Sequence, residues 1–399
     1  MVSAASADRA YFTKGCAKYN FALSCVFGVQ VAPPKAPERS NFKKDEVVLL
    51  YPSDSTVNVN DITRKYNLKA KSKTVLASVK TGMIVADTKG QNPLHLSKII
   101  NKKEKEVSSG TNNTFKTAAL TYRKGYPIDD TGVSTFHKTT KGHGITICMV
   151  DTPVDIFHPT LSNALIETLD LVKYQPKNSD SMLHGTSVAG VLVSQNAFIG
   201  VAPKAKLYAI GAFSGTKKNP SQLEGSSSDV AKAIDSCIQH NVDVINLSFT
   251  GGRDSLVEKL VKKAVEKGIT VIAASGNGGH SGSTIYPAQI PGVIATTAVD
   301  ANNHLFKSAD KGRFIDYAAP GVNILTIAPE GKYKIVTGTS FSAAHLSGIT
   351  ALLLSEGHTD IDQMFSKAAM DLGKPGRDQE FGNGLINARN TLIYINKKN

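Results

Sequence analysis

Cysteine is scarce in this chain: Cys16, Cys25, Cys148 and Cys237 are the only four among 399 residues. None sits in a Cys-x-x-Cys pair or beside histidines at zinc spacing, so a structural zinc site is excluded and a disulfide framework is not expected. Cys148 falls in an apolar strand and Cys237 in an amphipathic helix, where both read as buried free thiols. Long apolar runs are missing too. Residues 21–32 are mostly apolar and follow Lys14 and Lys18. That run is too short to span a bilayer and suits a signal-peptide core, although Gln30 stands where cleavage after Ala32 calls for a small residue. Cys25 falls inside the run, not at its end as a lipid-modified cysteine would. Neither Gly-x-Gly-x-x-Gly nor a Walker loop is present, which argues against nucleotide chemistry. Gly-x-Ser-x-Gly is absent as well, and with it the α/β-hydrolase type of esterase.

Acidic residues are outnumbered, 33 against 46 basic ones, for a formal charge of +13. Residues 1–125 hold 21 Lys and Arg against 9 Asp and Glu, whereas the remainder is nearly balanced at 25 against 24. The basicity thus belongs to the first third. With no helix-turn-helix, zinc finger or RNP-like motif beside it, nucleic-acid binding is not expected.

The length fits roughly two domains. Ala32-Pro33-Pro34-Lys35-Ala36-Pro37 reads as an extended linker closing a leader over 1–43. Residues 44–123 read as a small α+β domain. Strands are expected at 46–51, on either side of Thr81-Gly82 within 74–88, and at 115–122; helices are expected at 57–66 and 93–100. The order β-α-β-β-α-β is of ferredoxin-like type. Residues 124–399 form the larger domain, where apolar strands at 144–150, 205–210, 242–247, 270–274 and 292–298 alternate with helices near 185–195, 229–240 and 254–267. Near-continuous apolar strands separated by helices imply an α/β fold, a mostly parallel sheet covered on both faces. Such sheets bind ligands at the carboxyl ends of their strands.

Four residues are suited to meet on that rim. Asp151 and Asn277 lie just past strand ends, while His184 and Ser340 begin helices. Together they supply what acyl transfer at a serine requires. Ser340, at the start of an apolar helix expected over 340–354, is the nucleophile, helped by nearby N–H groups and the positive end of the dipole. His184 is the general base, and Gly185 allows close backbone approach. Asp151 holds the imidazole in the right tautomer, and Asn277 donates its side-chain N–H to the oxyanion. Each has a plainer reading alone, Ser340 as an N-cap above all. Asp155 reads as a solvated or ion-paired carboxylate, and His158, His280 and His345 read as structural.

The order Asp, His, Ser and the surrounding segments resemble the subtilisin-like serine proteases, the subtilases. The resemblance runs from about Gly144 to Asn387. Its carriers are residues 144–151, His158-Pro159-Thr160-Leu161, His184-Gly185-Thr186-Ser187-Val188-Ala189-Gly190, Gly200-Val201-Ala202-Pro203, residues 243–248, Tyr286-Pro287-Ala288, Gly338-Thr339-Ser340-Phe341-Ser342 and residues 382–388. Two positions depart from the family's pattern. Pro153 replaces a glycine and removes an N–H after Asp151, and Ala344 replaces a proline before His345.

The resemblance implies a secreted or periplasmic serine endopeptidase, made as a zymogen and acting through an acyl-enzyme. Residues 44–123 would be its inhibitory prodomain, cut off between Val107 and Lys124. It also implies polypeptide substrates that pair as a strand between Leu223, Glu224, Gly225, Ser226 and Ser227 on one side and Ser248, Phe249 and Thr250 on the other. Ala273, Ala274, Ser275 and Gly276 would floor the first pocket. Gly278 and Gly279 follow Asn277 without an acid, so a neutral, small-to-medium apolar residue is expected at the cleaved bond. Thr250, where the family usually has glycine, narrows that edge. No cofactor is required for such chemistry. Calcium is common in the family, but Ser194-Gln195-Asn196-Ala197-Phe198 offers no carboxylate and no site is identifiable. The rival reading is a weakly active subtilase fold kept as a peptide-binding or regulatory module, for which Pro153 and Ala344 are the only support.

Overall fold

The run Val47-Val48-Leu49-Leu50-Tyr51 is apolar on both sides of a period-2 strand, so both of its faces need cover. It forms the middle of β1 (Phe42–Pro52). This computed structural model describes residues 42–117, 132–172, 179–195, 199–215, 222–281 and 285–398. The expected signal-peptide core, the proline-rich linker, Cys16, Cys25 and residues 118–123 and 196–198 lie outside them.

After β1 come α1 (Val59–Lys65), β2 (Lys69–Leu76), β3 (Thr81–Asp87), α2 (Pro93–Lys103) and β4 (Ser108–Thr117). The Asn58 and Asn92 side chains cap the two helices, each accepting a backbone N–H of the first turn. The strands run antiparallel in the order β4-β1-β3-β2. Val47, Leu49 and Tyr51 pack with Val59, Ile62, Leu96 and Ile100 of the two helices. The alternate residue Val48, with Met83 and Val85, packs with the larger part of the chain. The last strand was expected at 115–122 but begins at Ser108. Its opening residues, Ser-Ser-Gly-Thr-Asn-Asn, have little strand propensity; pairing to β1 makes it a strand.

The larger part holds β5 (Thr146–Asp151), β6 (Leu165–Asp170), α3 (Leu183–Val193), β7 (Lys206–Gly211), β8 (Glu224–Ser226), α4 (Ser227–Gln239), β9 (Val244–Leu247), β10 (Phe249–Gly251), α5 (Ser255–Glu266) and β11 (Thr270–Ala274). It continues with β12 (Val293–Val299), β13 (Tyr317–Pro320), β14 (Ile324–Ala328), β15 (Lys332–Val336), α6 (Thr339–Ser355), α7 (Ile361–Ala368) and α8 (Ala388–Lys398). Seven strands make a sheet ordered β13-β12-β11-β9-β5-β7-β6, parallel at every pairing. Along β5, Ile147 and Met149 face the cluster containing α3 and α6, while Cys148 and Val150 face α4 and α5. Helix α6 is buried from Thr339 to Leu353, which is why its sequence is apolar all round.

One expectation is corrected here. Cys148 and Cys237 are not free thiols: they form a disulfide between β5 and α4, with Cα atoms 5.8 Å apart. Strand and helix periodicity put each sulfur on a buried face, but neither pattern reveals that the two faces oppose each other.

The smaller α+β part sits on α4 and α5. Its turn at Ala77–Val79 is fastened there by the Ser78 N–H donating to Asp235 Oδ1 (3.0 Å) and Gln239 Nε2 donating to Ser78 Oγ (2.7 Å).

Candidate active site

Asp151 ends β5 at the carboxyl edge of the central sheet and is 1% exposed. Its Oδ1 accepts the Thr152 N–H at 2.7 Å and His184 Nδ1–H at 2.6 Å. A carboxylate can only accept there, so the proton sits on Nδ1 and Nε2 presents its lone pair. Thr152 also ties the two elements together, because its Oγ1 accepts the Gly185 N–H at 2.8 Å. A side chain at 185 would place its Cβ 2.2 Å from the Thr152 carbonyl oxygen, which accounts for the glycine after the histidine. Asp151 Oδ2 is buried without a partner; Pro153 has no N–H to offer it.

His184 lies in the first turn of α3, fully buried, with its ring 5.9 Å from the Phe341 ring. That contact brings it beside the start of α6, where Ser340 lies. The Ser340 hydroxyl, however, donates to the Ser248 carbonyl at 3.0 Å, and His184 Nε2 has no hydrogen-bond partner. His184 and Asp151 are therefore bonded to each other, while the Ser340 hydroxyl is turned toward the Ser248 carbonyl.

Asn277 follows β11 through a turn at Gly276, whose φ of +103° is a left-handed region that favours glycine. Its Oδ1 accepts both the N–H and the hydroxyl of Thr339, at 3.0 and 2.9 Å. Those two donors fix the amide's orientation and leave Nδ2 buried with no partner. An unpaired buried donor costs about 1–3 kcal/mol, as does the bare His184 Nε2. Asn277 is bonded to Thr339 and the His184 ring lies against Phe341, the two sequence neighbours of Ser340, an arrangement that suits a site receiving new charge.

The expected substrate edges are β8, with Leu223 before it and Ser227 after it, and the segment Ser248-Phe249-Thr250. Between them lies the chain's own β4. Phe115 and Lys116 pair antiparallel with Gly225 and Glu224, and Phe115, Lys116 and Thr117 with Gly251, Thr250 and Phe249. The residues that dock β4 were not expected from the sequence. Asn112 Oδ1 accepts from the Ser227 hydroxyl (2.9 Å) and the Ser228 N–H (3.3 Å), and the Asn113 N–H donates to Ser227 Oγ (2.8 Å). Asn113 Nδ2 reaches Asp254 Oδ2 at 3.0 Å. Asp254 caps α5, and burial raises its pKa against the N–H groups it accepts. Polar residues in a low-propensity stretch give no signal of such docking.

Ala273, Ala274, Ser275 and Gly276 are buried behind β10, and a Cβ on Gly276 would lie 3.4 Å from the Thr250 methyl. Asp155 accepts from the backbone N–H groups of Phe157 and Glu330, a loop-fastening role away from the imidazole. His158 bonds Thr160 and the Lys332 carbonyl, and His345 the Phe341 carbonyl. Among the described residues, no group of three or more His, Cys, Asp or Glu is placed to hold a metal ion.

With this geometry in hand, the family model of the Subtilase family matches residues 142–384. The chain belongs to the subtilase family. It is 35% identical to subtilisin E of Bacillus subtilis over 259 residues, 62% of this chain and 65% of that protein. It is 34% identical to a thermophilic serine proteinase of Bacillus sp. strain AK1 over 286 residues, 69% of each. This subtilase thus spans just under two thirds of the length of subtilisin E. Fervidolysin from Fervidobacterium pennivorans, a keratinolytic enzyme related to subtilisin, superposes with a TM-score of 0.74 at 21% identity, covering 88% of this chain and 61% of that one. That likeness is one of fold.

Proposed function

We propose that this subtilase is a serine endopeptidase made as a zymogen, with Asp151, His184 and Ser340 as its triad and Asn277 as oxyanion donor. The observation that carries the reading is β4. A stretch of polypeptide lies extended between two strand edges, and the edge at Phe249 leads through Ser248 to the Ser340 hydroxyl. Strand addition recognises backbone, so it suits a polypeptide substrate. Ser340 Oγ attacks the carbonyl carbon of the bond to be cut while His184 Nε2 takes the hydroxyl proton. The oxyanion forms against Asn277 Nδ2 and the Ser340 N–H. Collapse expels the amine, which leaves with the proton from His184, and water then releases the acyl group by the same steps. No cofactor enters this chemistry.

Residues 44–123 serve as an inhibitory prodomain whose last strand occupies the substrate edges until it is cut. The leader and the Cys148–Cys237 disulfide support export to an oxidising compartment, either secreted or periplasmic. No helix among the described residues is long and apolar enough to cross a membrane.

The test is intact mass of purified protein over time, wild type beside Ser340→Ala. Loss of the first domain in the wild type alone supports the reading. Ser340 turned toward Ser248 favours the rival, a peptide-binding module. Casein left uncut by a wild type that also stays intact would decide for that rival.

A further inference from the structure

Asn277 is gripped from two sides, and only one grip is on the side of the nucleophile. Thr339 holds its side chain from the start of α6. Behind it lies Asp310, which is 3% exposed and distant in sequence. The Asp310 N–H donates to the Gly276 carbonyl at 3.0 Å. Asp310 Oδ2 accepts the Gly278 N–H at 3.2 Å, and Oδ1 accepts the His280 N–H at 2.7 Å. The residues immediately before and after Asn277 are thus both bonded to one aspartate. The glycine at 276 makes room for it: a Cβ there would lie 2.2 Å from Asp310 Oδ2. Flanking bonds, Gly279 N–H to the Ser308 carbonyl and Lys311 N–H to the His280 carbonyl, zip the two loops together.

On the serine-peptidase reading given above, we propose that Asp310 is a positioning residue for the oxyanion donor. Its two carboxylate oxygens clamp the backbone on the C-terminal side of Asn277, its own N–H clamps the N-terminal side, and Nδ2 is thereby aimed. The chemistry requires a carboxylate. Asparagine has the same shape but one acceptor oxygen, and its NH₂ would face a backbone N–H donor. A loop so loosened displaces Nδ2, and displacement on the order of 1 Å can cost about 10²-fold in rate.

The experiment is a double-mutant cycle on the processed enzyme with Asp310→Asn and Asn277→Ala, normalised to active sites counted by sulfonyl fluoride titration. Asp310→Asn alone should lower kcat about 10- to 100-fold with KM within about 2-fold. In the Asn277→Ala background it should cost less than about 2-fold, because the group it aims is gone. Full additivity, an unchanged kcat for Asp310→Asn, or a loss carried by KM would overturn the proposal. Should Asp310→Asn yield no titratable sites, Asp310→Glu, which keeps both acceptor oxygens and shifts them by one methylene, reads the same coupling. If Asn277→Ala itself leaves kcat unchanged, the oxyanion assignment fails and Asp310 falls with it. A normal loss for Asn277→Ala with a silent Asp310→Asn sinks the Asp310 proposal alone.

Discussion

Ser340 and Ser248 hold each other by reciprocal hydrogen bonds: each hydroxyl donates to the other's carbonyl at 3.0 Å. Under the proposed mechanism the Ser340 hydroxyl must rotate away and give its proton to His184, losing one bond worth about 1 kcal/mol. That cost is small beside the loss on removing the nucleophile, about 10⁶-fold in the related subtilisin. Ser340→Ala should therefore abolish peptide hydrolysis and self-processing. Ser248→Ala keeps the carbonyl and removes two bonds of its hydroxyl, the one it donates to the Ser340 backbone and the one it accepts from Asn246 Nδ2 at 2.8 Å, so kcat/KM should stay within about 10-fold of wild type. Steady-state rates on one peptide ester check both; equal, severe losses would mean that Ser248 has a part in the chemistry itself.

The register of β4 predicts where the chain is cut. Thr117 pairs with Phe249, and the strands are antiparallel. Phe249 adjoins Ser248, whose carbonyl accepts the Ser340 hydroxyl, so the cut is predicted one residue past Thr117, after Ala118. The processed enzyme should then begin at Ala119. Ala118 also suits the neutral, small-to-medium preference expected at the cleaved bond. N-terminal sequencing of the processed form checks this. A start before Ser108 would detach the strand from the proposed inhibitor.

A second consequence of that register concerns charge. Lys116 pairs with Glu224 across β4 and β8, the third residue before the proposed cut. Opposite charges directly across a ladder are worth up to about 1 kcal/mol. Peptides with Lys or Arg at that place should be cut about 3- to 5-fold faster than those with Glu, and Glu224→Lys should reverse the order. Added salt should shrink the difference. Indifference to charge in both enzymes would remove Glu224 from the specificity.

Much of the catalytic half was legible because its signals are local. The strands around Cys148, Ile245 and Ile272 are mostly apolar, and the glycines after His184 and before Asn277 mark close backbone approaches. Strand β6 is half-exposed and β13 is only four residues, Tyr-Ala-Ala-Pro, so neither has a pattern to read. The hairpin β14–β15, just before Ser340, was not among the expected elements. The grips on the site were invisible for a different reason. Asp310, Asn112 and Asn113 act through contacts between segments far apart in sequence, and nothing near them in the chain announces the partner.

The Cys148–Cys237 bond closes a sequence separation of 89 residues and ties β5, the strand ending in Asp151, to α4. Chain entropy alone assigns such a loop about 4–5 kcal/mol, and measured removals run about 2–5 kcal/mol. Cys148→Ala/Cys237→Ala should lower unfolding free energy by an amount in that range, read from urea midpoints in the Ser340→Ala background to prevent self-digestion. The processed protein, unfolded without reductant, should show no titratable thiol. Two reactive thiols there would return these residues to the free state read from the sequence.

His345 predicts how the fold responds to acid. It lies within α6 and its ring is fully buried, Nδ1 facing the Phe341 carbonyl one turn back and Nε2 without a partner. Burial drives its pKa down from 6.5 to about 4. Unfolding in that interval takes up a proton that the folded protein refuses. Its contribution to stability is therefore complete above pH 6.5, shrinks as pH falls toward 4, and amounts to about 3 kcal/mol in all. Asp254 and Asp316, raised by burial, work in the opposite sense, so the comparison must be with a variant that keeps them. Urea unfolding of Ser340→Ala with and without His345→Gln, from pH 8 to pH 4, isolates the histidine. The two curves should differ in slope only between 6.5 and 4. Parallel curves would mean the imidazole is protonated in the folded chain, with its Nε2–H served by a partner such as buried water.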